Sequence, residues 1–404
     1  MTIQLDGIDL ATHDRFVDGI PFDDLARLRH EAPVYLHPER RGPGFWCVTR
    51  HDDVTALSRD YARFSVERGI MLFDQPELAP PEAPRMMIEM DPPRHTRYRL
   101  LVNKGFTPRM VNRLEEHMRA VARRTVDAVI EQGECDFVRD VASELPLQTI
   151  AELMSVPASD RARVFEMTNR IVGHSDAEMS GGGPAYDVIG ALHAYGRDLA
   201  VARRATLAAG ETADDILGTL LTAEVDGHTL SDADFEQFFL LLVVGGSETT
   251  RTAMAQGMLA FFEHPEEWER LQDDRAVLGT AVEEVLRWST PFLHFRRTAT
   301  EDVELRGQSI RAGEKVVLWY ASANYDEDEF TDPHRFDIGR DPNAHVTFGG
   351  GGPHFCLGAH LARLETRVVL EELLDRVPGI EQAGPAERMR SNWTNGLKRL
   401  PVRW

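Results

Sequence analysis

Cys356 sits where a run of four glycines, Gly349 to Gly352, gives way to an amphipathic pattern in FGGGGPHFCLGAHLARLE, residues 348–365. A thiolate is both nucleophile and metal ligand, and at a helix start backbone N–H groups steady it without a competing side chain. The glycines let another group come close to the backbone. A second chemical point is GGSETT at 245–250, where Glu248 and Thr249 set an acid beside a hydroxyl, a pair able to relay protons. The two glycines there cost about 1 kcal/mol each relative to alanine, and a carboxylate among apolar residues is costly too. Either the glycines admit something large and loosen the helix ladder, or they relieve a tight helix crossing while Glu248 faces water. The residues alone leave both readings open. His95 and Arg99 stand one helical turn apart, so both can point at one anionic group, and Glu284 and Arg287 are spaced to interact along one helix face.

Several elements must position these groups. SDADFEQFFLLLVVGGSETTRTAMAQGMLAFFEHP predicts a helix of some thirty residues, started by Ser231 with Asp234 in a capping-box pattern and stopped at Pro265. After Cys356, Leu357, Leu361, Leu364 and Val368 fall on one helical face, and Pro378-Gly379 ends the pattern. FDDLARLRHEAP reads as a helix and GFWCVTR, 44–50, as a strand. Residues 66–93, rich in proline and methionine, predict a long irregular loop of the kind that often contacts ligands. From about 94 to 290 the pattern is helical almost throughout, broken by a loop at 179–187, and 302–320 reads as short strands around glycine turns. The expectation is a mainly α fold with small β-sheets, folded as a single domain over 1–404, since no linker composition divides the chain.

Composition narrows the class. With 42% apolar and 27% charged residues the chain has the balance of a folded globular protein, which excludes disorder. Three widely spaced cysteines argue against a disulfide framework or a zinc site, and fit a reducing, cytoplasmic setting. A net charge of −21 argues against nucleic acid or anionic membrane as the main partner. The N-terminus lacks a basic start and apolar run, so neither signal peptide nor membrane anchor is expected.

Five motifs, in order, resemble the cytochrome P-450 family along nearly the whole chain: DPPRHTRYR at 91–99, GGSETT at 245–250, EEVLR at 283–287, FTDPHRFDIGR at 330–340, and the cysteine loop at 348–358. The resemblance implies the P-450 fold, with haem b between the long helix and the cysteine-loop helix, and a soluble bacterial haem-thiolate monooxygenase (EC 1.14). It implies Cys356 as iron ligand in a signature that also contains Phe348, His354 and Gly358. One residue more than the commonest family spacing separates Phe348 from Cys356, which predicts a locally wider loop. The resemblance further makes Glu248 and Thr249 the acid–alcohol pair for proton delivery, and Gly245 a haem-contacting position. His95, Arg99, Arg297 and His354 become propionate partners, with Arg296 able to exchange with Arg297. Glu284 and Arg287 become a structural pair tied to the segment around His334 or Arg335.

The same resemblance places Leu72, Phe73, Met86, Ile88, Leu241, Val244, Leu293 and Trp393, with Gly245 and Thr394, around a hydrophobic substrate held largely by shape. Similarity to bacterial members acting on steroids, branched lipids or terpenoids sets the expected substrate class. Electrons are expected from NAD(P)H through a separate iron–sulfur ferredoxin and its reductase, docking near Arg109, Arg113, Arg363 and Arg367 on a monomeric protein. Three alternatives compete: a peroxygenase using hydrogen peroxide, which in relatives tends to lack the acid–alcohol pair; a non-catalytic haem-binding sensor or carrier; and a thiol hydrolase pairing Cys356 with His354 or His360.

Overall fold

The computed structural model describes residues 5–40, 42–72, 84–103, 108–182, 185–213, 216–225 and 227–404, and the side chains of 108–113 fall outside that description. Phe73 and the side chains of Arg109 and Arg113 therefore lie outside the described residues. The chain forms two compact units, one drawn from 1–79, 252–359 and 386–397, the other from 80–251, 360–385 and 398–404.

The first unit is built on a five-stranded sheet in the order Val34–His37, Phe45–Val48, Lys315–Trp319, His294–Ala299, Phe64–Ser65. Phe45–Val48 pairs in parallel with Lys315–Trp319, Cys47 facing Val317. Both strands are buried throughout, and apart from Lys315, which pairs with Glu39 (2.6 Å), they read as continuous apolar runs without polar alternation. Side chains still alternate between faces. Phe45, Cys47, Val317 and Trp319 join one core with Leu10, Leu25 and Leu28, while Trp46, Val48, Val316 and Leu318 join another with Val54 and Leu57 of the helix His51–Arg59.

The second unit is mostly helical, with a three-stranded sheet in the order Glu134–Asp136, Pro401–Arg403, Glu381–Gln382. Its first strand interrupts the stretch expected to be helical. Its residues, of which Glu134 and Asp136 have poor strand propensity, are held extended because Val402 lies opposite Cys135 and Phe137 N–H donates to the Leu400 carbonyl (2.9 Å). The loop expected at 179–187 is shorter, since the flanking helices run to Ser180 and begin at Ala185. The described part of the 66–93 loop contains one 3₁₀ turn, Met87–Glu89.

The long helix spans Asp232–Glu263, 32 residues without a break. Ser231 and Asp234 cap it reciprocally: the Asp234 N–H donates to Ser231 Oγ (3.1 Å) and the Ser231 N–H to the Asp234 carboxylate (3.3 Å). Residues to Arg251 pack in the second unit and those from Thr252 in the first. No described helix is long and apolar enough to cross a membrane.

Candidate active site

The cysteine loop is pressed flat onto the helix His51–Arg59. A Cβ at Gly350 would stand 2.7 Å from Thr55 Cα, and one at Gly352 2.7 Å from the Ser58 carbonyl, so neither position takes a side chain. Arg59 Nε donates to the Gly350 carbonyl at 3.1 Å. Gly349, Gly351 and Gly352 adopt left-handed φ of 94°, 96° and 78°, and these turns absorb the extra residue. The loop still closes, with Cys356 N–H donating to the Phe348 carbonyl at 2.9 Å. The Phe348 ring is buried beside His345 (5.8 Å between centroids) and Phe355 (6.4 Å).

Burial separates the three thiols. It pushes Cys47 far above the ordinary thiol range and Cys135 up to about 12, whereas Cys356 is exposed just before the helix Ala359–Arg376. No group of three or more His, Cys, Asp or Glu among the described residues is arranged to hold a metal. On the helix that follows, Leu361 and Leu364 are half-buried, not core; Glu365 and Thr366 take the buried positions beside Val368 and Val369.

On the long helix, Leu241, Val244, Gly245 and Thr249 form a half-exposed stripe, flanked by buried Val243, Ser247, Glu248 and Thr250. The two glycines divide the two readings between them. A Cβ on Gly246 would meet Ile150 Cδ1 at 2.4 Å, a tight helix crossing, whereas one on Gly245 would meet nothing within 4 Å. Gly245 thus leaves room for a flat body against the helix. In the first unit, the exposed Cys356 thiol on its glycine loop is the donor type that takes a haem iron, so the residues of that loop fit the group.

Glu248 does not face water: it is 2% exposed and paired with Arg251. Thr249 Oγ1 donates to the Gly245 carbonyl at 2.7 Å, so its proton is engaged by its own helix.

Sequence reasoning missed Glu365. It is buried and hydrogen-bonded to Thr149 and Thr250, the residue after Thr249, and burial pushes its carboxyl up to about 8 against those two bonds. The signal available was its place in Leu361-Glu365-Val369, an i, i+4 row otherwise apolar. The raised value fixes a sign. The acid stays protonated in the folded chain while the unfolded chain ionises near 4.5, so its contribution to stability is full below pH 4.5 and lost as pH rises through about 8. Each pH unit in that window costs about 1.4 kcal/mol at most. Glu365→Gln is expected to flatten the thermal-stability profile between those limits; parallel profiles for the two proteins would rule the buried acid out as its source.

Glu284 and Arg287 are both 0% exposed, joined by two bonds of 2.8 Å. Glu284 also accepts from Arg340 Nε (3.1 Å), Asn343 Nδ2 (3.0 Å) and the Asp337 N–H (3.1 Å), and Arg287 Nη1 donates to the Pro333 and Asn324 carbonyls. The tie expected to the segment around His334 or Arg335 is made through backbone carbonyls, Pro333 accepting from Arg287 and Arg335 from Arg340 (3.0 Å), while the His334 ring packs edge-on against Phe22.

In the first unit Arg297 is buried on its strand and donates to the Arg296 carbonyl (2.9 Å), and His354 is half-buried in the cysteine loop. Gly358 has open space where a Cβ would lie. In the second unit His95 is buried and Arg99 half-buried; burial first, and the Arg99 charge second, bring His95 down to about 4.

The expected pocket residues divide. Met86 and Ile88 are half-buried, but Leu72 and Leu293 pack inside the core with Trp319 and Phe45 and present no wall. Flanking Leu293, half-exposed Phe292 and Phe295 form an aromatic corner with Trp393, at 4.5 Å and 6.0 Å between centroids. The corner is stitched by the Leu293 N–H to the Trp393 carbonyl (2.8 Å) and the Asn395 N–H to the Pro291 carbonyl (3.0 Å). Thr394 is buried behind it.

Residues 185–377 match the family model described as Cytochrome P450. The chain is 40% identical to a steroid C26-monooxygenase of Rhodococcus jostii (strain RHA1), covering 98% of this chain and 84% of that protein. It is 42% identical to a methyl-branched lipid omega-hydroxylase of Mycobacterium tuberculosis (strain CDC 1551 / Oshkosh), covering 100% and 96%. Among solved structures it resembles Mycobacterium marinum cytochrome P450 CYP268A2 in complex with pseudoionone, with a TM-score of 0.90, 39% identity and full coverage of both chains.

Proposed function

The chain belongs to the cytochrome P450 family and is a P450 monooxygenase, and from this premise we propose that it inserts one oxygen atom of dioxygen into a steroid, methyl-branched lipid or terpenoid, the second atom leaving as water. The observation that carries this reading is the half-exposed stripe Leu241, Val244 and Gly245, which ends at Thr249 between buried Glu248 and Thr250. It offers an apolar wall that ends at a hydroxyl, with the acid buried on the adjoining face of the helix. The substrate classes come from relatives that are a steroid C26-monooxygenase and a methyl-branched lipid omega-hydroxylase.

Cys356 would hold the iron through its thiolate, and His95, Arg99, Arg297 and His354 would take the propionates. Phe348 would pack beside the ligand loop, and Gly245 and Gly358 leave space for the macrocycle. When bound, haem supplies the activation of dioxygen and cleavage of its O–O bond, which thiolate ligation favours. The chain must bring protons and keep out stray water. Thr249 turns its hydroxyl off the Gly245 carbonyl to donate into the open side of the helix, and Glu248 restores that proton. Apolar Leu241, Val244, Met86 and Ile88 of the second unit hold the substrate by shape, and Trp393 of the first unit, with Phe292 and Phe295, offers it a further apolar surface. Electrons come from NAD(P)H through a separate ferredoxin and its reductase to a monomer in the cytoplasm, docking at Arg363 and Arg367; the Arg367 charge is partly met by Glu371 at 2.9 Å.

Thr249→Ala is expected to retain haem and the substrate-induced spin shift while sending most reducing equivalents to peroxide, read as peroxide formed per nicotinamide oxidised. Coupling equal to the wild type would take Thr249 out of proton delivery.

A further inference from the structure

Adjacent helical residues are turned about 100° from one another, so Glu248 and Thr249 cannot share a face. Thr249 lies on the open stripe; Glu248 is buried, in contact with Arg251 one turn further along. The Arg251 guanidinium, 7% exposed, divides its donors: Nη2 goes to Glu248, and Nη1 to Asn169 Oδ1 at 2.7 Å, on the helix Arg161–Val172. Nε is buried and takes no partner. Arg251 thus reaches Glu248 with one guanidinium nitrogen and is tethered with the other to a half-buried neutral amide. A carboxylate this deep does not leave its cation unaccompanied, because an uncompensated buried charge is strongly disfavoured. Its approach to Thr249 therefore requires Arg251 to move with it, and the Asn169 bond restrains that movement.

We propose that Arg251, tethered to Asn169, is a positioning residue that holds Glu248 on the side away from Thr249 and makes the Asn169 end of this contact the point of proton entry. The proposal rests on the reading of Glu248 and Thr249 as the proton-delivering pair.

The test uses the haem-loaded enzyme with ferredoxin and reductase, with testosterone and isopalmitic acid as probes. Arg251→Met is expected to lower product formation about tenfold, less than the roughly 10²- to 10⁴-fold that a general acid or base itself contributes, because Arg251 acts only through Glu248. The peroxide share and the solvent deuterium isotope effect on kcat should rise, while probe affinity from the spin-shift titration holds within about twofold, since acid–base loss falls on kcat and not on binding. Arg251→Lys should restore part of the loss. Asn169→Ala, which leaves the ion pair in place, should also shift the isotope effect. In thermal melts, Glu248→Gln and Arg251→Met should be non-additive, a readout independent of turnover. If Arg251→Met folds poorly, Arg251→Lys and Asn169→Ala decide the matter. Wild-type partitioning and isotope effect in the Arg251 and Asn169 variants, with Glu248→Gln and Thr249→Ala leaking peroxide, would overturn the positioning role alone. Tight coupling in all four would overturn the underlying reading as well.

Discussion

Cys356→Ser is expected to abolish monooxygenase turnover and the thiolate-type band of the reduced carbon monoxide complex, while the polypeptide keeps its stability. The two effects separate because of where the residue lies. Cys356 is exposed, outside both core clusters of the first unit, and serine is close to it in size. The loop is held by features the substitution does not touch: the glycines against Thr55 and Ser58, the Arg59 bond to the Gly350 carbonyl, and the Cys356 N–H bond to Phe348. Unfolding of the haem-free variant should therefore fall within about 0.5 kcal/mol of wild type, as for surface substitutions generally. The chemistry depends on sulfur, since the electron donation that favours O–O cleavage comes from a thiolate and not from an alcohol oxygen. Cys47 and Cys135 cannot take over, because burial raises both thiols far from ionisation at neutral pH. A Cys356→Ser protein that kept the band, or the turnover, would remove this residue as the ligand.

Glu284→Gln is expected to cost about 3 to 5 kcal/mol of folding stability, measured by denaturant unfolding of the haem-loaded protein. The charge would go while its geometry stayed. Arg287, 0% exposed, would then be a cation facing the Asn324 and Pro333 carbonyls with no carboxylate from Glu284, and Arg340 would lose that carboxylate too. Tyr325, Trp288 and Phe330 surround the guanidinium within 5.0 to 5.7 Å of their ring centroids, which adds attraction but does not neutralise the charge. The double variant Glu284→Gln/Arg287→Met should be less destabilised than Glu284→Gln alone, because it removes the stranded cation. A loss of under 1 kcal/mol in the single variant would mean that the pair is relieved by water.

Much of this was legible in the sequence. The long helix and its capping residues follow from local rules that act within four residues, as do the strands between Val303 and Trp319. Partnership was not. The strand Glu134–Asp136 exists because the C-terminal strand lies beside it, and nothing in Glu134-Cys135-Asp136 announces that. Leu72 and Leu293 look like wall residues by type, and Phe292 and Phe295 look the same; only the strand geometry decides which are turned into the core. Glu248 shows the limit most clearly. Its type and neighbour point to proton chemistry, but the contact through Arg251 to Asn169 joins residues 82 positions apart.

The glycine pair on the long helix also bears on how such a chain diversifies. Glycine and alanine codons differ by one base, so both positions are one nucleotide from gaining a methyl group. At Gly246 that change is closed off by Ile150, and a lineage that crossed it would need a second change there. At Gly245 the methyl meets nothing, and it would project from the stripe that ends at Thr249. One codon of the adjacent two is free to drift into a shallower recess, and the other is fixed by its neighbour.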